Sequence, residues 1–579
     1  MRPTLASWLG LSILGMASAA NPDVPATKDF IRRMSARAVM VGNYLYIDGG
    51  EVTQLVNDKP VDTYDMTMNS TLSIDMSKSW SSDSVEIRTI SKAAPKLYNQ
   101  AIWADRNEKS FYIWGGHSNH GRENDLLTTD QIWRFIVDGN GGGAWTKEVP
   151  DNIGAYKSFN LAESGAFTTA HNTGFWLGGF ASGWTQKFRA SSQTIPGMVS
   201  FNMTTRTFQN DSTPDVSPFG TITAGKIQYI PRFGPHGLIA VFGGSTSSLV
   251  PGSSTSYRDF RNLTFFDPVS RDWYWQTTTG TMPTPRENLC VFGAESTDGT
   301  YEIFVFGGQD AVAKKSAEDM YVLTLPGFEW TKLDAPQGGA RTDHSCVVAG
   351  NRQMITVGGL NRLGTGESFR LADPFPQGLG VFDMTELTWS TDYNAEAAAY
   401  ESPQMIKEWY DQNKDLASVE WSSDEVKQLF TSEKTNLDGG VTGEKSDNDN
   451  KGDESSTRKA KIGPIVGGVV GGVVVVAACV AAAMLIRRRR RQRREGQFAP
   501  PGAADPETPG TGTATLVATT PVPPEYYGPR AEMDSNGRVH EMADDKKAME
   551  PVELDATGMD GSGGLATKER VRSYTHEAP

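Results

Sequence analysis

Cysteine is scarce: the 579 residues hold three, and only Cys290 and Cys346 fall before the apolar run that contains Cys479. A domain of several hundred residues with two cysteines is not a disulfide scaffold. It must stand on its own core, which that length can supply. Both thiols fall at the start of apolar β-type runs, so we expect them buried and free. A bridge would require their Cα atoms to come within about 7 Å. Catalytic signatures are also missing. No G-x-S-x-G, H-E-x-x-H or P-loop occurs. Gly141-Gly142-Gly143 precedes Trp145 in a strand-to-strand turn, not a helix start, so it cradles no phosphate. Histidine is limited to seven residues. His117 and His120 could face one ion, but they lie on a polar loop with no neighbouring cysteine or dense acidic set. They read as solvent-exposed, and we expect no metal and no cofactor. A basic excess is lacking too: residues 20–461 carry 54 acidic against 40 basic side chains, a net of −14. Neither nucleic acid nor an anionic lipid surface suits them as a partner.

Charge is absent altogether from Ile462 to Ile486 (IGPIVGGVVGGVVVVAACVAAAMLI). A helix of that length reaches roughly 37 Å, enough to cross a ~30 Å hydrocarbon core with some tilt. Seven arginines follow between Arg487 and Arg494, against Arg458, Lys459 and Lys461 on the other flank. Guanidiniums do not follow a helix into lipid, so this bias puts the arginines on the cytoplasmic side. At the other end, Met1-Arg2, an apolar run from Leu5 to Met16 and Ala17-Ser18-Ala19 read as a secretory signal over residues 1–19. The expectation is a single-pass type I protein of the plasma membrane or another secretory-pathway membrane, N-terminus outside. The sequons at Asn69, Asn202, Asn210 and Asn262 all fall on the outer side, as glycosylation requires.

The outer region repeats. Apolar runs ending in a glycine pair recur six times, at Gly50, Gly116, Gly179, Gly244, Gly308 and Gly359, with spacings of 66, 63, 65, 64 and 51 residues. Each pair is followed by an aromatic: Trp80, Trp145, Phe208, Trp273, Trp330 and Trp389, at offsets of 30, 29, 29, 29, 22 and 30. Further short β-type runs lie before each pair and between it and the aromatic, giving about four strands per unit. Glycine belongs where a strand ends in a sharp turn and a side chain would collide with the neighbouring sheet. The aromatic buries a large ring between sheets. Four-stranded sheets repeated in this way pack radially as a propeller.

These residues resemble the kelch repeat over about residues 36–392, and the whole architecture resembles fungal single-pass membrane kelch proteins. The fold expected is all-β: a six-bladed kelch β-propeller over residues 20–392. It is followed by short helices in 393–432, a disordered stalk at 433–461, the span at 462–486 and a disordered tail at 487–579. The third unit departs from the pattern, with Phe208 in place of Trp. How the ring closes is open, although Asp29 to Arg33 could supply an extra strand. By resemblance, partners bind to the loops between the second and third strands, here 51–70, 117–131, 180–197, 245–262 and 360–378. Trp184, in FASGW, is the candidate binding residue: an aromatic on a polar loop suits stacking on a sugar or peptide, or else pins its own loop. Galactose oxidase shares this repeat. Its resemblance would imply a Tyr-His dipeptide and a cysteine-linked tyrosine among its copper ligands, and none of the seven histidines here follows a tyrosine.

After Trp389 the pattern changes. Ser402-Pro403 opens IKEWYDQN and Ser422-Ser423-Asp424-Glu425 precedes VKQLF, two short helices with start signals. In the span, Gly463, Gly467 and Gly471 repeat at i+4 and expose one bare face, which suits pairing of two spans into a homodimer. In the tail, Pro523-Pro524-Glu525-Tyr526 resembles the PPxY ligand of WW domains, including those of ubiquitin ligases. The reading is a non-enzymatic surface protein that binds an extracellular glycan or protein and recruits cytoplasmic partners. The alternatives are a membrane-tethered carbohydrate oxidase and a structural wall-adhesion protein.

Overall fold

The computed structural model describes residues 23–60, 67–105, 109–118, 127, 129–186, 192–247, 255–335, 338–362 and 368–432. The expected signal, stalk, span and tail, with Gly463, Gly467, Gly471, Pro523, Pro524 and Tyr526, lie outside these residues, as does His120. Among the described residues, no helix is long and apolar enough to cross a membrane.

Among the described residues strands dominate, and the main ones form six antiparallel sheets in chain order, each a meander. The first sheet runs Arg37–Val41, Tyr44–Asp48, Ser70–Asp75, Arg88–Ser91. The fifth is Cys290–Glu295, Tyr301–Phe306, Met320–Leu325 and Glu329–Leu333, with the short Thr279–Gly280 added parallel at its outer edge. First strands of the six sheets touch in a closed cycle: Arg37–Val41, Ala101–Asp105, Ala166–Ala170, Lys226–Ile230, Cys290–Glu295, Ser345–Ala349 and back to Arg37–Val41. Six apolar clusters fill the spaces between neighbouring sheets, one for each adjacent pair, including the sixth with the first. Side chains alternate along a strand, so a sheet covered on both faces needs an unbroken apolar run. In IFVF, Ile303 and Val305 pack toward the fourth sheet while Phe304 and Phe306 pack toward the sixth.

The glycine pairs end the second strand of every sheet, and their role is geometric. The second glycine of each pair donates its amide to the chain leading into the next sheet, at 2.7–2.9 Å: Gly50 to Leu97, Gly116 to Ala162, Gly179 to Ile222, Gly244 to Arg286, Gly308 to Arg341 and Gly359 to Arg33. The last of these links the sixth sheet to the first. The same six carbonyls stand 2.2–2.7 Å from where a Cβ on the first glycine would fall. A side chain there would separate neighbouring sheets, which is why the pair recurs.

Chain ends complete the closure. Phe30–Met34 is a strand, but it pairs with Glu51–Val56 and adds nothing to the six sheets. Arg32 instead donates to the carbonyls of Gly359, Leu371 and Ala372, tying the N-terminal segment to the sixth sheet's loop. From the other end, Asp392–Tyr393 pairs with Trp80–Ser81, and Tyr393 stacks on Trp80 at 5.2 Å. Trp80 therefore belongs to a closing strap, while Arg88–Ser91 supplies the first sheet's fourth strand. The repeat's other aromatics lie in fourth strands; Trp145, Phe208 and Trp330 are buried, Trp273 and Trp389 half-buried.

The expectation of free thiols is corrected. Cys290 and Cys346 form a disulfide, with Cα atoms 6.0 Å apart. They sit on neighbouring first strands and face each other across the interface of the fifth and sixth sheets. The two expected helices are Gln404–Gln412, entered through Pro403, and Asp424–Thr431, where Ser423 Oγ accepts the Val426 amide at 3.1 Å. Phe430 packs on Phe233, Phe265 and Phe328. Tyr400 and Ser402 donate to the buried carboxylate of Glu302 at 3.0 and 3.1 Å, fixing the C-terminal segment on the fifth sheet.

Candidate functional site

The glycine pairs and the starts of the first strands lie at one end of the ring. One residue in each unit, just before the first strand, adopts a left-handed conformation: Ser35, Asn99, Ser164, Ala224, Asn288 and Asp343, with φ between 50° and 56°. Backbone bonds run between them around the axis: Ser35 N–H to Asp343 O, Asp343 to Asn288, Asn288 to Ala224 and Ala224 to Ser164, at 2.7–3.3 Å. These residues form the rim of the axial mouth.

Inside the rim, Arg37 of the first sheet and Lys226 of the fourth both approach the Phe167 ring of the third, at 5.8 and 5.4 Å. These three sheets are not consecutive in the cycle, except the third and fourth, so Arg37 reaches this meeting point across the axis. Arg37 also donates to Asn99 Oδ1 at 2.8 Å. Among the described residues, Asp343 is the acid whose charge acts on both cations, and Arg362 holds its carboxylate at 2.8 Å. Burial, and then the Arg37 charge, push the Lys226 ammonium down to about 7. Burial likewise lowers Arg37 to about 10, which leaves it charged at neutral pH. An acidic domain thus concentrates cations at its axis, in a partly dry setting where each charge acts strongly.

Beside the mouth the loops after the glycine pairs assemble an aromatic wing. Tyr98 stacks on His117 at 5.2 Å, and His117 stacks on Trp184 at 6.0 Å. Tyr98 precedes the rim residue Asn99 and Glu163 precedes Ser164, so the wing is continuous with the rim. His117 Nδ1 lies 2.6 Å from Glu163 Oε2. Tyr98 Oη donates to Glu51 Oε2 at 3.1 Å, and burial pushes the Glu51 carboxyl up to about 7. Trp184 is 48% exposed. Its amide donates to Ser182 Oγ at 3.2 Å, and its carbonyl accepts the Ser118 amide at 3.2 Å. Trp184 thus fixes adjoining loops and also presents a ring to solvent. His117 is half-buried in this stack, not a free loop residue.

The sequons fall on or beside the first, third and fourth sheets. Asn69, Asn210 and Asn262 are exposed, while Asn202 is half-buried and its Oδ1 accepts the Thr204 and Thr205 amides. A 660 Å³ groove on the fourth sheet's outer strands is lined by Trp273, Trp275, Arg258 and Asp259, but also by Asn262, where a glycan would fill it. Sequence reasoning missed Arg37 and Lys226. The available signal was a column: aligning the units two residues past the rim gives Arg37, Ala101, Ala166, Lys226, Cys290 and Ser345, two cations at a position that is otherwise small.

Residues 233–403 match the family described as "KLHDC2/KLHL20/DRC7 Kelch-repeats domain". The chain is 25% identical over 415 residues to "Kelch repeat-containing protein" of Arthroderma benhamiae, covering 63% of this chain and 58% of that protein. It is 25% identical over 138 residues to "Kelch domain-containing protein 3" of Bos taurus and of Homo sapiens, covering 23% of this chain and 35% of each. The matches therefore span less than two thirds of these relatives' length. The kelch-repeat match thus spans the last three glycine pairs, at Gly244, Gly308 and Gly359.

Proposed function

We propose that the six sheets are the blades of a kelch propeller that binds an extracellular ligand through its glycine-pair face, on a single-pass type I surface protein. The observation that carries the reading is convergence: the Arg37–Lys226 pair, at the starts of two first strands, and the Tyr98–His117–Trp184 stack beside them occupy one face. Kelch repeats support a binding role of this kind. The ligand is a glycan or protein that offers an acidic group to the two cations and a flat apolar or sugar face to Trp184. Stacking on an exposed aromatic and a charge-assisted contact in a partly buried mouth are complementary means of recognition. The span at 462–486 tethers this face outside, and the tail recruits cytoplasmic partners, with Tyr526 as the WW-domain contact.

The test is a glycan and peptide array probed with residues 20–461, in parent form and with Trp184→Ala or Lys226→Met. Ligands bound by the parent and lost by both variants support the reading; binding indifferent to both rejects it. Oxygen uptake with galactose as substrate separates this reading from an oxidase, which would consume oxygen.

A further inference from the structure

His344 stands out among the described residues as a buried imidazole without a hydrogen-bond partner. It is 1% exposed, and both ring nitrogens are buried without a hydrogen-bond partner. Buried polar atoms are almost always satisfied, so two orphans on one ring call for an explanation. Its surroundings explain its charge state: burial first, then Arg341, Lys226 and Arg37, hold the imidazole well below its usual range and hence neutral. Neutral imidazole is the metal-ligating form. One ring nitrogen and the sulfurs of Cys290 and Cys346 all lie within 4.8 Å of one another. Cys346 is only half-buried, which leaves a route of access.

We propose that, when Cys290 and Cys346 are reduced, they form with His344 a three-ligand site for a thiophilic closed-shell ion, taking Cu(I) in preference to Zn(II). Two thiolates on one ion stand roughly 3.8 Å apart, given metal–sulfur bonds of about 2.3 Å, and neighbouring strands with Cα atoms 6.0 Å apart can supply that separation. Thiolate and imidazole are the donor set that soft ions select. The charge balance gives the preference. Arg341, Lys226 and Arg37, set against the carboxylates of Asp343 and Asp373, leave an excess of positive charge that opposes a bare cation but favours thiolates. A bis-thiolate Cu(I) complex carries net charge −1 and is attracted by those cations; the Zn(II) complex is neutral and gains nothing from them. Cu(I) is also content with three ligands. Disulfide and metal site exclude each other. A dithiol reductant gives two electrons and two protons to the Cys290–Cys346 bond and becomes a disulfide itself; the ion then displaces both thiol protons to solvent.

The experiment uses the full chain in a Cys479→Ser background, which removes the third thiol. Protein reduced with a phosphine is titrated anaerobically against the Cu(I)–bicinchoninate complex, with tryptophan fluorescence reporting the fold. Reduced protein should take up one equivalent and oxidised protein none, and X-ray absorption should show two sulfurs and one nitrogen. His344→Leu, which keeps both thiols, should lose the nitrogen scatterer and the one-equivalent uptake. No uptake by folded reduced protein, equal uptake by His344→Leu, or unfolding on reduction alone would each overturn the site. Displacement of Cu(I) by equimolar Zn(II) would overturn the charge argument.

Discussion

Replacing Gly178 by alanine should be far more damaging than replacing Gly42, although both glycines have positive φ, +67° and +59°. At Gly42, an exposed turn residue, a Cβ meets nothing within 4 Å. Only the left-handed backbone then matters, at about 1–2 kcal/mol. At Gly178 the Cβ would lie 2.2 Å from Ile222 O and 2.7 Å from Ile222 N, both main-chain atoms of the next sheet. They cannot rotate away, so the third and fourth sheets must part by about 1 Å, an overpacking cost of roughly 1–3 kcal/mol. Parting also stretches the Gly179–Ile222 hydrogen bond, worth about 0.5–1.5 kcal/mol. With the backbone term, Gly178→Ala should cost about 3–6 kcal/mol. Urea denaturation followed by tryptophan fluorescence gives both values. Equal losses for the two variants would show that the glycine pair does not set the sheet spacing.

Three further outcomes are expected. Cys346→Ser removes a link of sequence separation 56, so stability should fall by about 2–4 kcal/mol in oxidising buffer and be unaffected by reductant thereafter. Anion binding at the mouth should strengthen as pH falls from 8 to 6: the Lys226 pKa of about 7 means that it gains its positive charge over that range, and Glu51, also near 7, loses its negative one. Calorimetric titration with sulfate, whose own charge is constant there, should show this trend, and Lys226→Met should flatten it; a parent affinity that does not vary with pH contradicts it. Tyr526→Ala should abolish capture of isolated WW domains by the tail while Tyr527→Ala leaves it intact; identical capture by both would remove the motif from the account.

The parts of the fold that could be read from sequence are those set by local backbone demands. A glycine pair after IAVF or IFVF is a short-range signal, because each glycine avoids a specific main-chain contact, and so the six units were visible. Trp80 shared the spacing of its counterparts, but the first unit's outer position is contested by Arg88–Ser91 and by the returning strand Asp392–Tyr393, a competition between segments some 310 residues apart. The thiols were misjudged for a related reason: whether Cys290 and Cys346 meet depends on the packing of two first strands, which spacing along the chain does not determine. Trp184 stood out as an aromatic in polar sequence. Arg37 and Lys226 did not, because 189 residues separate them and only ring closure brings them to one Phe167.

The most direct test of the binding face compares two sets of changes on the same chain against whatever ligand the array identifies. One variant carries Trp184→Ala with Lys226→Met. The other carries Val269→Ser, in the exposed turn between the third and fourth strands of the fourth sheet, at the opposite end of the ring. Surface plasmon resonance should show the first variant losing binding while the second matches the parent. Loss of binding by Val269→Ser, with the double variant unchanged, would place the site on the other face and contradict the account.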